Sequence, residues 1–125
     1  MLYEMLACIK RHDSDGGSTF VDLEENFERH GIDYKGAFCC AMKESKEPGK
    51  VYFWEGWSAE VFYLLGLLSQ EGLIEKHCVN KIFYETQGRG MALPVIKNLN
   101  DMKTTGWMPI VFKMTPLGKA TLMAV

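Results

Sequence analysis

The chain lacks an apolar run long enough to cross a bilayer. Its longest mainly apolar stretch, Val61 to Leu68, is interrupted by Tyr63 and Gly66 and falls far short of the ~20 residues that a membrane-spanning helix needs. The first ten residues place Glu4 ahead of any basic residue and contain no apolar run ending in small residues, unlike a secretory signal. These absences predict a cytoplasmic location and no membrane partner.

Cysteine is scarce, with four residues, and no two of them have the C-x-x-C spacing. This count argues against a disulfide scaffold and favours reduced, structural thiols. A composite zinc site can be drawn from Cys8, His12, His77 and Cys78, but nothing in the sequence brings these four side chains together. We therefore expect neither a metal nor an organic cofactor.

Motifs for catalysis are also missing. The sequence has no G-x-S-x-G, no H-E-x-x-H and no paired-carboxylate motif. Cys39 could act as a nucleophile only if His30 or His77 came close to it in the fold. The turn Gln87–Met91 is glycine-rich but lacks the full phosphate-loop pattern, and an ordinary turn is its simpler interpretation. The sequence therefore predicts a binding protein, not an enzyme.

What the sequence does contain is typical of one globular domain. It has 125 residues, of which 47% are hydrophobic and 12% aromatic, enough for a single packed core. Charge is unevenly distributed, because residues 1–75 carry 7 basic and 14 acidic side chains, whereas residues 76–125 carry 7 basic and 2 acidic ones. The C-terminal part is therefore the region where a polyanion could dock.

Hydrophobic periodicity predicts an α+β fold. Helices are expected at 2–12, 20–30 and 58–71, another at 34–46, and a terminal helix after Thr115 and Pro116. The helix at 58–71 is apolar on most of its circumference, which predicts that it forms the centre of the core. Strands are expected at 51–54 (ended by Gly56), 73–79, 81–86 and 107–114, while 92–97 suits a short helix or an extended segment.

Two stretches carry a family resemblance. Residues 58–76, SAEVFYLLGLLSQEGLIEK, and residues 112–122, FKMTPLGKATL, resemble the third helix, wing strands and final helix of winged-helix repressors of the PadR and MarR kind. The resemblance implies a winged helix-turn-helix-like domain over residues 1–125, with helices in the N-terminal half and a small antiparallel ribbon in the C-terminal half. Relative to that fold the chain carries insertions at about 32–57 and 87–107. The resemblance also implies a transcription regulator, with a homodimer formed through the first and last helices.

A basic set lies on and around the predicted wing and is the candidate DNA-binding surface. It can contact phosphates without reading sequence, although an ordinary solvated ribbon is the alternative. The helix that resembles the DNA-reading helix departs from the family pattern because it has no basic residue. The nucleic-acid candidates are Lys81, Arg89, Lys97, Asn98, Lys103 and Lys113.

A second hypothesis belongs to another functional class. Aromatic residues cluster around the start of the 58–71 helix and could anchor a protein partner, since Trp and Tyr dominate many binding interfaces. Packing in the core is the alternative role for the same residues. The candidate partner-binding residues are Trp54, Trp57, Glu60 and Tyr63, and they would make the chain a winged-helix protein-interaction module.

Overall fold

The computed structural model describes residues 1–42, 50–96 and 105–124. The fold class is α+β, with five helices and five strands among these residues. In chain order they are α1 (Leu2–His12), α2 (Phe20–Arg29), β1 (Lys35–Ala41), β2 (Val51–Trp57), α3 (Ala59–Gln70), β3 (Ile74–Cys78), α4 (Ile82–Glu85), β4 (Gly106–Trp107), β5 (Ile110–Met114) and α5 (Pro116–Met123).

The first two helices form as the sequence predicts. In α2, Thr19 closes a capping box with Asp22, which satisfies two backbone N–H groups at the start of the helix. The apolar stripe of Phe20, Leu23 and Phe27 is buried, and α2 packs against α1. Local sequence signals therefore fix the start and the buried face of this pair.

A two-stranded sheet joins the end of α3 to the start of α5. Strands β3 and β5 are antiparallel, in register from Ile74 opposite Met114 to Cys78 opposite Ile110. Ser18, between α1 and α2, extends this sheet through a bridge to Phe112, with N–H to carbonyl distances of 2.9 and 2.8 Å. The loop before α2 is thus tied to the C-terminal strand.

A second sheet has the strand order β1–β2–β4. Strand β1 pairs antiparallel to β2, whereas β4 pairs parallel to it, with Val51 opposite Gly106 and Tyr52 opposite Trp107. Strand β2 therefore occupies the middle of this sheet.

Some of the secondary-structure predictions are wrong. Residues 35–41 form strand β1 and not part of a helix over 34–46, because pairing with β2 supplies backbone hydrogen bonds that no local pattern reveals. Residues 82–85 form the helical turn α4 and not a continuation of β3. Gly56 also lies within β2, at φ +91°, and does not end it.

The position of α3 differs from its prediction too. Only Val61, Leu65 and Leu68 of this helix are buried, and Tyr63 is 65% exposed. The helix therefore packs one stripe against the core and is not its centre. The buried residues form one cluster around the aromatic rings of α2 and β2.

No helix in the described part of the chain is long and apolar enough to cross a membrane.

The end of the chain follows the sequence prediction closely. Thr115 caps α5 by accepting a hydrogen bond from the N–H of Gly118, and its hydroxyl donates to the carbonyl of Gly72 at 2.6 Å. A Cβ atom at Gly118 would lie 2.0 Å from the carbonyl oxygen of Leu73. Glycine at this position therefore permits the close approach of α5 to the turn after α3.

Between α4 and β4, Val95 is extended and bridges to Trp107.

Replacement of Tyr84 by Phe is expected to destabilise the fold. The buried Tyr84 hydroxyl donates to the carbonyl of Ile110 at 2.6 Å and accepts from the N–H of Phe20 at 3.1 Å. Tyr84→Phe leaves both backbone groups without this partner and should lower the free energy of unfolding by about 2 kcal/mol. Urea denaturation measures the change, and the matched control Tyr63→Phe, at an exposed tyrosine, should have no effect. Equal stability of the two variants would contradict this role of Tyr84.

Candidate functional site

The described basic residues of the predicted DNA-binding set do not form a cluster of free cations. Lys81 lies 4.0 Å from Glu85, one helical turn away, and Lys113 stands opposite Glu75 in the β3–β5 ladder. Arg89 is bound to the carboxylate of Glu24. Three further members of the set, Lys97, Asn98 and Lys103, lie outside the described residues.

The two tryptophans predicted as surface anchors are in the core. Trp54 is 2% exposed and Trp57 is 0% exposed, because both side chains pack against α2. The rings pack against Phe20, which stacks on Trp54 and meets Trp57 edge-on. As placed, these two residues cannot contact a partner, and the core-packing alternative is confirmed for them.

Both indole N–H groups are satisfied by one carboxylate. Trp54 and Trp57 donate hydrogen bonds of 2.9 and 2.8 Å to the same oxygen, Oε2, of Glu24. The other oxygen, Oε1, accepts a hydrogen bond of 2.9 Å from Arg89, whose guanidinium carbon lies 5.4 Å from the centre of the Trp54 ring. Glu24 is 5% exposed, so these three donors replace hydrogen bonds that water would otherwise make to its carboxylate.

A surface cavity of about 490 Å³ adjoins this carboxylate. Glu28, Tyr34 and Glu55 line it together with Glu24 and Arg89. The Tyr34 hydroxyl donates to Glu28 at 3.2 Å. Burial, followed by the charges of Glu24 and Glu28, raises the pKa of Tyr34 to about 12. The cavity therefore presents carboxylates beside a phenol that keeps its proton at neutral pH.

An apolar groove of about 560 Å³ lies between α3 and the β1–β2 hairpin. Phe38 on β1 and Tyr63 on α3 are 57% and 65% exposed, and Glu60 is exposed at the start of the helix. Among the described residues, Lys76 is the one charged residue of the groove lining, and its ammonium group lies 5.0 Å from the centre of the Phe53 ring. The remaining lining is mostly apolar and includes Cys39, Cys40, Phe62, Tyr63 and Leu67.

The drawn zinc site is not assembled. The thiol of Cys8 contacts Ser18 and the Asp22 carbonyl, whereas Cys78 contacts the sulfur of Met108 at 3.4 Å. Among the described residues, no group of three or more His, Cys, Asp or Glu side chains is placed to hold a metal ion.

The histidines that could have activated Cys39 are engaged elsewhere. His30 contacts the carbonyl of Asn26 and the carboxylate of Glu4, and His77 contacts Glu75 at 2.9 Å. Burial raises the pKa of the neighbouring Cys40 thiol, which disfavours its thiolate.

The glycine-rich turn closes α4 and does not present an empty phosphate nest. The N–H of Arg89 donates to the carbonyl of Tyr84 at 3.1 Å. The Gln87 side chain accepts from the Thr19 hydroxyl and donates to Asp22. These contacts fasten the turn to the first residues of α2.

Glu24 was not singled out in the sequence, although a signal for it exists there. It lies four residues after Phe20 and three before Phe27, and this spacing places it on the apolar face of α2. An acidic residue on a buried face needs a partner, whereas the neighbouring Glu25 falls outside this stripe and is exposed. The sequence does not reveal which residues supply the donors.

Comparisons with known proteins provide no relative: no family model, no curated protein and no solved structure matches the chain. Its function therefore has to be argued from its own residues.

Glu24→Ala is expected to destabilise the protein strongly. The substitution leaves the indole N–H groups of Trp54 and Trp57 buried without an acceptor and removes the partner of Arg89. We expect a loss of about 3 kcal/mol in the free energy of unfolding, measured by chemical denaturation. Glu25→Ala, one position along on the exposed side of the same helix, should change stability by less than about 0.5 kcal/mol. Similar losses in the two variants would refute the role given to Glu24.

Proposed function

We propose that the chain is a winged-helix-type domain that binds a protein partner through the face formed by β1 and α3. This β1–α3 face comprises Phe38, Cys39, Glu60, Tyr63 and Leu67. The observation that carries the proposal is the groove between α3 and β1, which the 65% exposed Tyr63 lines, while Phe38 is a second exposed aromatic residue on β1.

The order and pairing of the elements support the winged-helix part of the proposal. Two helices are followed by α3, which leads through Gly72 into β3, and β3 pairs with β5. The bridge from Ser18 to Phe112 adds a short third strand to this ribbon. In such a domain the β1–β2 hairpin and the segment with α4 and β4 are additions to the basic fold.

The chemistry of the β1–α3 face favours a protein over a nucleic acid. Aromatic side chains give large contact areas at low entropic cost and are enriched in protein interfaces. Helix α3 contributes Glu60 and no basic residue, so it would repel a phosphate backbone and offers no Arg or Lys to guanine. An aromatic surface of this kind, with Glu60 on the helix and Lys76 in the groove, instead suits a partner with apolar side chains and charged groups that complement these two residues.

Loss of the two exposed aromatics should abolish partner binding. The double variant Phe38→Ser/Tyr63→Ser is immobilised and used to recover the partner from a lysate of the source cells. We expect it to recover at least tenfold less partner than the original protein does. The reason is that aromatic anchors commonly contribute ~2 kcal/mol or more each to the binding free energy. Ile82→Ser is the matched control, since Ile82 is similarly exposed but belongs to α4 and not to the β1–α3 face. Thermal unfolding verifies that both variants fold. A partner recovered equally by all three proteins would contradict the proposal.

A DNA-binding regulator is the second candidate function, and the paired β3–β5 ribbon directly after α3 favours it. The regulator would be a dimer formed through the first and last helices. Helices α1 and α5 contact each other within the chain. The exposed apolar side chains that they carry support this assembly. They are Leu2, Tyr3, Leu117 and Met123.

A salt titration distinguishes the two candidates. Fluorescence anisotropy with duplex DNA of mixed sequence is measured at ~50 mM and ~200 mM salt, where phosphate-driven binding weakens steeply. The DNA candidate predicts binding at the lower concentration, weakened by Lys81→Gln and Lys113→Gln and unchanged by Tyr63→Ser. Sedimentation of the same samples gives the mass of the free and bound protein. Absence of binding at the lower salt concentration would discard the DNA candidate.

A further inference from the structure

Arg89 occupies a site that is built almost entirely by other parts of the chain. It belongs to the segment between β3 and β4, whereas its contacts lie on α2 and β2. One guanidinium nitrogen donates to Glu24 Oε1 at 2.9 Å, and the guanidinium carbon lies 5.4 Å from the centre of the Trp54 ring. A carboxylate beside an aromatic face is the pairing that a planar guanidinium group favours.

The orientation of the carboxylate does not depend on Arg89. Trp54 and Trp57 hold Oε2 of Glu24 with two buried hydrogen bonds. Each indole is held in turn by stacking, Trp54 on Phe20 with ring centres 5.7 Å apart and Trp57 on Phe62 at 4.9 Å. The free oxygen, Oε1, is therefore fixed in position before a cation arrives.

Arg89 does not close the site. Its side chain is 46% exposed, and the cavity of about 490 Å³ borders both Arg89 and Glu24. Glu28, Glu55 and Lys35 also line the cavity, so among the described residues its walls carry three acidic and two basic side chains. A guanidinium group from outside can thus reach the carboxylate through this cavity when Arg89 is displaced or removed.

We infer that Glu24 and Trp54 form a guanidinium-binding site and that Arg89 is its resident occupant. The contact of Arg89 with Glu24 and Trp54, here called the latch, joins the segment between β3 and β4 to the aromatic core. The ligand class is a guanidinium group, as carried by an arginine side chain of another molecule. A guanidinium ion can donate to the carboxylate while lying flat on the indole, whereas an ammonium group lacks this planar shape. The inference does not depend on the proposed function.

Other contacts keep the segment in place when the latch is removed. Tyr84 bonds to Phe20 and Ile110, and Gln87 bonds to Thr19 and Asp22. Replacement of Arg89 by Ala should therefore leave the segment attached and the site vacant.

The test is chemical rescue of Arg89→Ala by methylguanidinium. The variant is titrated with methylguanidinium chloride at millimolar concentrations, far below those that denature proteins, and with sodium chloride and methylammonium chloride at equal ionic strength. We expect methylguanidinium alone to raise the thermal midpoint of Arg89→Ala and to shift the indole N–H resonance of Trp54. The original protein should respond to none of the three salts, because Arg89 fills its site.

Lys81→Ala is the matched control, since Lys81 lies on the same segment and pairs with the exposed Glu85. It should respond to no salt, so an equal response of Lys81→Ala and Arg89→Ala would overturn the inference. An Arg89→Ala variant that folds, shows both buried indole N–H resonances and ignores methylguanidinium would also overturn it. Neither result bears on partner binding by the β1–α3 face, so failure here is distinguishable from failure of the proposed function.

Discussion

The structure depends on a carboxylate held almost out of contact with water. Burying a charge is unfavourable unless hydrogen bonds and a countercharge replace its hydration. Glu24 obtains two of its three donors from β2 and the third from Arg89. Because these donors come from distant parts of the sequence, helix α2, strand β2 and the segment after α4 must assemble together to satisfy it.

The three-stranded sheet imposes a similar requirement. Its central strand β2 pairs on one side with β1 and on the other with β4, which comes about fifty residues later in the chain. The indole of Trp107 in β4 donates to the carbonyl of Phe53 and packs against Tyr84. The two segments that the winged-helix resemblance treats as insertions are therefore a single structural unit, stabilised by contacts between them.

These long-range contacts mark the limit of what the sequence could predict. The starts of α2, α3 and α5 were predictable, because Thr19, Ser58 and Thr115 cap them through backbone N–H groups only three positions away. The β1 strand was predicted as a helix even though its partner was predicted as a strand at 51–54, because the sequence does not reveal that these two segments pair. Trp54 and Trp57 show the same limit, since adjacency in sequence does not indicate whether an aromatic side chain faces solvent or the core. The position of Glu24 was deducible from spacing, but its partners were not.

The packing around α3 bears on the two candidate functions. A helix that reads DNA must enter a major groove about 12 Å wide, which requires free space on both sides of its exposed face. Helix α3 packs against β1 along one side and β3 along another, and Tyr63 is exposed at the groove between α3 and β1. A flat protein surface or an extended peptide could contact Tyr63 without displacing the hairpin, whereas a duplex would also meet the carboxylate of Glu60. The same hairpin that buries Trp54 and Trp57 therefore favours a protein partner for the aromatic residues that remain exposed.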